Sequence, residues 1–344
     1  MDTTAPPRPA PPRPPREGAR GRRLLAATVL LLGLVLLRTF SPLTGGFELE
    51  DAIQDFLTLS ISVIIESLPF VFLGIGLSVV VQHWVPQRFL LRVLPRNAVA
   101  RRAVLSLLGV LLPVCECGNV PLSRGLILRG VTVPEAMTFL VAAPIVNPVT
   151  IITTYQAFGF DDGILIARIA GGFLIANLVG WLFSRHPDPD ALLTRPFSRS
   201  CTRAHDHAPA SGSRMRATLG SFAEETTAML PALFVGAGIA GLIQVAVSRD
   251  LLLALGSNPV ASVFVLMLLA FVVSVCSNVD AFFILALGST FMPGAIVAFL
   301  VFGPVIDIKM LALLRTTFTT RTLALLTAVV GLSAAALGLG MNLA

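Results

Sequence analysis

The 344-residue chain is 55% hydrophobic and 13% charged, with a mean hydropathy of +0.85, more apolar surface than a soluble domain can cover. Its net charge of +6 rests mostly on arginines in short stretches beside apolar runs, the positive-inside pattern of a membrane protein and not the basic face that nucleic acid requires. Four cysteines, three of them inside apolar segments, exclude a disulfide scaffold.

In chain order, residues 1–23 are a Pro/Arg tail that lacks the apolar content for a core and is expected to be disordered and cytoplasmic. Residues 24–44 read as a first span or signal anchor, since no small-x-small cleavage site follows the apolar run. Arg22 and Arg23 are its flank and not a twin-arginine signal. The span at 52–82 follows Glu48, Glu50 and Asp51 and precedes Arg88, Arg92, Arg96, Arg101 and Arg102, so it runs from outside to inside. Later apolar runs cover 103–130, 133–158, 163–184, 222–247, 259–290, 293–313 and 322–342. The polar segment 185–220 carries Arg185, Arg195, Arg199, Arg203, Arg214 and Arg216 and is expected to be a cytoplasmic linker loop. The expected address is the plasma membrane, with several spans and a cytoplasmic N-terminus.

Three apolar runs between two basic loops leave one run that cannot cross. In 103–130, Pro113 and Pro121 bracket the sequence CECGN, leaving arms of about eleven residues, or about 16 Å of helix, half a bilayer. Proline and glycine there predict a re-entrant hairpin with its tip at 114–120 near the midplane. The run at 259–290 is expected to be a second one.

The two halves of the chain share a pattern. Pro69, Gly74, Gly76 and Gln82 have the spacing of Pro231, Gly236, Gly238 and Gln244, and Cys117, Asn119, Pro144 and Asn147 match Cys276, Asn278, Pro304 and Asp307. The expected architecture is an all-α polytopic membrane protein with two repeats, 52–184 and 221–344, in inverted orientation, each with a broken or re-entrant helix. That gives seven spans plus two hairpins, or nine spans if both broken runs cross fully. A broken segment in each half points to a transporter whose site lies between the repeats.

The polar groups at the two breaks are the candidate site. Cys115, Cys117 and Cys276 offer soft sulfur, and Asn119, Asn278 and Asn147 offer amides to backbone or solute. Glu116, Asp280 and Asp307 are intramembrane carboxylates, costly unless paired or used, and are candidates for proton coupling or for pairing with Arg124. Blander roles suit other positions. Gly74, Gly76, Gly236 and Gly238 read as helix-packing surfaces, Pro144, Asn147 and Pro148 equally as another unwound site or as a kink capped by Asn, Lys309 as a snorkelling base paired locally with Asp307, and Arg168 as a partner of Asp161 or Asp162.

The stretches CECGNVPLSRGLILRG, AAPIVNPVT, CSNVDAFFILALG and GPVIDIKML resemble the signature regions of the bacterial permease family that includes the ArsP-type organoarsenical efflux permeases and the YraQ-type permeases. The likeness covers about residues 52–342. It implies a multi-spanning permease that moves a small-molecule or metalloid solute, with trivalent organoarsenicals exported by some members. The adjacent-cysteine pair associated with the arsenical exporters is absent. Trivalent arsenic exchanges hydroxyls for thiolates, so two or three cysteines suit such a cargo.

Cys201, His205 and His207 have metal-ligand types but lack a fourth ligand and a rigid frame, which favours incidental residues of a linker. No Walker sequence, Rossmann glycine run, zinc-protease helix or nucleophile elbow occurs, so neither an enzyme nor a cofactor or metal centre is expected. A membrane thiol–disulfide redox protein is the alternative reading of the cysteines.

Overall fold

The structure, a computed structural model, describes residues 51–112, 114–160, 162–206, 214–246, 258–288 and 291–343. The tail and first span expected over 1–44 lie outside the described residues. Every regular element described is helical. The first half contains α1 (Asp51–His83), α2 (Gln87–Val93), α3 (Ala98–Leu111), α4 (Glu116–Leu128), α5 (Val133–Ala142), α6 (Pro148–Phe158) and α7 (Ile164–Phe183). A connector follows with a 3-10 turn at Pro189–Leu192 and α8 (Arg195–Asp206). The second half contains α9 (Arg214–Ala246), α10 (Ala261–Val273), α11 (Asp280–Leu285), α12 (Pro293–Phe302), α13 (Ile308–Leu314) and α14 (Thr320–Leu343).

Helices α1, α7, α9 and α14 are each long and apolar enough to cross a membrane. Their outer faces carry large apolar side chains in the open, such as Leu73 at 54%, Leu174 at 66% and Leu332 at 73% exposure. A soluble protein would not present such a belt. α1 packs along α9 and α4, α5 along α3 and α7, and α12 along α10 and α14. Gly74 lets α1 meet the backbone of α4 at Gly118, and Gly236 lets α9 meet Lys309 of α13, so these two glycines are packing surfaces, as expected. Gly76 and Gly238 face open space instead. They lie two residues further on, on another side of the helix.

Two pairs of helices leave and return to the same end of the bundle. Arg101, near the start of α3, pairs with Glu135 in the first turn of α5 at 3.2 Å, and Arg129, just after α4, donates to Val81 O at 3.1 Å near the end of α1. α3 and α4 therefore form a hairpin open at the end where α1 finishes. This end carries Arg88, Arg92, Arg96, Arg185 and Arg195 and is called the basic end below. In the second half, Asn342 Nδ2 donates to Pro259 O and Asn342 Oδ1 accepts from Gly294 N, each at 2.9 Å. The chain before α10 and the start of α12 thus share the end where α14 finishes, and the α10–α11 hairpin opens opposite to the first.

The breaks differ in extent from the expected ones. In the first hairpin only residues around 112–115 leave the helix, with Cys115 extended as the N-cap of α4, and Pro113 lies outside the described residues. Cys117, Asn119 and Val120, placed at the tip by the sequence, and Pro121, placed at its edge, are helical. Pro121 is six residues into α4, so it forfeits a single backbone bond, the one to Cys117 O. The apolar runs 133–158 and 293–313 are also broken, the first at the Pro144–Pro148 stretch that the sequence offered as an unwound site or a kink. Asn147 caps α6 by accepting from Val149 N at 2.9 Å, and Asp307 caps α13 by accepting from Met310 N. Sequence-matched residues thus perform the same capping at matched breaks.

The connector is not a plain loop. Thr194 N donates to Thr317 O at 2.8 Å and Thr319 N to Leu192 O at 3.0 Å, stitching it to the α13–α14 junction, and Phe197 of α8 is buried. Cys201 sits on α8 half-buried, which pushes its thiol up to about 11, the behaviour of a protonated packing residue more than of a metal ligand. The side chain of His205 and all of His207 lie outside the described residues.

Candidate functional site

Cys115 ends the first break and places Glu116 and Cys117 in the opening turn of α4. One ligand atom from each of these three buried residues lies within 4.8 Å of the others. Glu116 is fully buried and crosses to the second half. Its Oε1 pairs with Lys309 Nζ at 3.2 Å. Its Oε2 accepts from Ser277 Oγ at 3.0 Å, Ser277 N at 3.3 Å and Cys276 Sγ at 3.5 Å. Lys309 also donates to Ser274 O at 3.4 Å. Ser274 ends α10 at φ +53°, the one non-glycine residue with positive φ among the described residues, and this turn aims its carbonyl back into the site. Cys276 Sγ thus meets the carboxylate that lies beside the Cys115 and Cys117 thiols, and Cys117 Sγ reaches Ser67 Oγ of α1 at 3.6 Å. The predicted sulfur cluster is therefore assembled from both breaks.

The charge partners differ from those expected. Lys309 is 1% exposed and does not snorkel. At the second residue of α13 it lies deep in the bundle, too far from the basic end for its stem to reach out, and a buried ammonium must take a buried acid. Asp307 is committed to Met310 N and does not pair with it directly; its Oδ2 has no partner among the described residues. Arg168 forms a two-pronged bridge to Asp280, with Nη1 on Oδ1 at 3.0 Å and Nη2 on Oδ2, while Nη1 also reaches Thr154 Oγ1 at 2.7 Å. This replaces the expected pairing with Asp161 or Asp162; Asp161 lies outside the described residues.

Arg124 binds neither Glu116 nor Asp280. Eight residues along α4, it is about 12 Å nearer the basic end, where its Nε meets Glu225 of α9 at 2.8 Å, its Nη1 reaches Thr316 O at 3.2 Å, and its guanidinium lies over Phe197 at 4.1 Å. Glu225 escaped the sequence reading because Glu224 and Glu225 look like a solvated rim.

The three amides divide. Asn147 has both polar atoms engaged, its Nδ2 on Val114 O at 3.2 Å and its Oδ1 on the α6 cap, which makes it a brace of the break. Asn119 places Nδ2 on the same carbonyl at 3.4 Å, but its Oδ1 and that of Asn278 have no partner among the described residues. Buried acceptors rarely stay unmatched, so both oxygens suit a solute or a water. Glu66 on α1, next to Ser67, was also missed; Lys309 and Glu116 are the charges that influence it. Its signal in the sequence is a lone carboxylate inside a span.

Comparison with known proteins agrees with the resemblance. The profile of the ArsP_1 family, described as "Predicted permease", matches residues 52–343. The chain is 36% identical over 266 residues to the "UPF0718 protein YcgR" of Bacillus subtilis, covering 77% of this chain and 90% of that protein. It is 31% identical over 275 residues to a Streptococcus mutans protein named "Putative two-component membrane permease complex subunit", covering 80% of this chain and 90% of that one. No solved structure matches the chain significantly. With a match over nearly all of the described helices, the chain belongs to the ArsP_1 family of predicted permeases.

Proposed function

We propose that this permease moves a small thiophilic solute, of the kind a trivalent organoarsenical represents, through the site where the two breaks meet. The observation that carries the reading is the reach of Glu116 from one hairpin onto Cys276, Ser277 and Lys309 of the other half. The halves act as inverted repeats. The α3–α4 hairpin opens at the basic end and α10–α11 at the other, and Asn147 and Asp307 cap matched helices. In such a fold the solute site lies between two re-entrant elements, and rocking of one half on the other exposes it to each side in turn.

The chemistry follows from the donors. Two thiols displace two hydroxyls from a trivalent arsenical, forming two As–S bonds while the hydroxyls leave as water with the thiol protons. The site's buried acids, Glu116, Asp280 and Asp307, outnumber its buried bases, Lys309 and Arg168, by one. A proton or a cationic cargo balances the excess carboxylate, two waters release the solute by returning hydroxyls to arsenic and protons to the sulfurs, and the proton carried on the carboxylate ties flux to a proton gradient. The Streptococcus relative's name extends to this chain as the proposal of a second subunit.

Transport by membrane vesicles across a panel of methylarsenite, phenylarsenite and soft metal ions, with and without a proton gradient, tests the reading. We expect flux of at least one member, reduced about tenfold or more by Cys117→Ala and Cys276→Ala at unchanged thermal stability. Absence of flux for the whole panel, or full flux in both variants, would overturn it.

A further inference from the structure

Beside the seam between the connector and the α13–α14 junction, remote from the thiol site, lies an open cleft of about 900 Å³. Its walls are Arg195 and Thr194 on one side and Arg315, Thr316, Thr319 and Arg321 on the other. Three guanidinium groups thus face one cavity whose lining contains no carboxylate. None of the three takes part in a salt bridge among the described residues. Only Arg315 has a hydrogen-bond partner there, Phe318 O at 3.2 Å. By contrast, Arg101 and Arg124 at the same end each hold a carboxylate.

The arginines are not gathered by chance of a mobile loop. Four hydrogen bonds fix the walls to each other: Thr194 N to Thr317 O, Thr319 N to Leu192 O, Thr194 Oγ1 to Thr316 O, and Thr322 Oγ1 to Leu192 O. Like charges held together in this way repel, and the arrangement gains from a multivalent anion with oxygens for several forks at once. Guanidinium and hydroxyl donors without an acid are the donor set of a phosphate site. A basic pocket between helix ends at the cationic end of a membrane protein also has the form that takes phospholipid headgroups.

We propose that this cleft binds a phosphate group, held by Arg195, Arg315 and Arg321, and so fastens the connector to the second half of the permease. The group is shared by two sources, the headgroup of an anionic phospholipid and free phosphate. Because one arginine comes from the connector and two from the α13–α14 junction, binding neutralises their repulsion and stiffens the seam.

The test uses the full chain in nanodiscs, read by thermal unfolding. One arm compares phosphatidylcholine discs with discs containing phosphatidylglycerol or cardiolipin; the other adds sodium phosphate to phosphatidylcholine discs against sodium chloride at equal ionic strength. We expect a rise of several degrees in at least one arm, and the arm that responds names the source. The rise should vanish in Arg195→Gln/Arg321→Gln, two exposed residues with no partner among the described ones, and persist in the equally discharged control Arg88→Gln/Arg92→Gln. If the double variant does not fold, Arg321→Gln alone should at least halve the rise. No rise in either arm, a rise kept by the cleft variants, or an equal loss in the control would overturn the proposal.

Discussion

Glu116→Ala is expected to be the most damaging single change in the site. It strands the Lys309 ammonium at 1% exposure with the Ser274 carbonyl as its one remaining hydrogen-bond partner among the described residues. Removing one partner of a buried pair costs about 3–5 kcal/mol, because the remaining charge keeps its desolvation penalty and loses its compensation. Purified protein should unfold at a markedly lower temperature, and flux should fall more than tenfold. The double variant Glu116→Ala/Lys309→Ala removes both charges and should recover most of the stability while flux stays low, since the link between the halves is gone. A double variant no more stable than the single one would mean that Glu116 acts through packing alone.

Asp280→Asn is the second large effect. It leaves Arg168 with Thr154 and a neutral amide in a fully buried setting, again at about 3–5 kcal/mol. Since Thr154, Arg168 and Asp280 sit on α6, α7 and α11, the loss falls on the seam between halves and should loosen the second hairpin first. Thr154→Val removes one bond to a charged donor and should cost less, about 1.5–3 kcal/mol. The exchanged pair Arg168→Asp/Asp280→Arg should regain part of the loss if the bridge is what matters. Thermal unfolding of the four proteins gives the ranking, and Asp280→Asn as stable as wild type would contradict the assignment.

The long helices and the two hairpins were legible because length and charge are strong signals. Arginines mark one end, CECGN interrupts a run whose arms are each about half a bilayer long, and CSNVD interrupts the matched run of the second half. The breaks at 143–147 and 303–307 were weaker, since Pro144–Asn147–Pro148 and Pro304–Asp307 admit a kink or a gap equally and tertiary packing decides. Which residues carry the site chemistry was also readable, as thiols and carboxylates in apolar sequence. Which acid meets which base was not. Glu116 and Lys309 are 193 positions apart and become hydrogen-bonded neighbours through the fold, and Arg168 lies 112 from Asp280. Sequence favours near neighbours such as Asp162 or Asp307, whereas burial selects the partner across the bundle. Arg124 shows the same limit, because eight residues of helix separate it from the acid beside which it is written.

The central claim is that both breaks meet and put their sulfurs at one point. The most direct measurement is thiol bridging in native membranes, in a Cys201→Ser variant carrying a protease site between residues 206 and 214. Treatment with dibromobimane, which spans thiols a few ångströms apart, followed by cleavage should leave the two halves covalently joined through Cys276 and Cys115 or Cys117. Halves that separate although each carries bimane on its own cysteine would contradict the account.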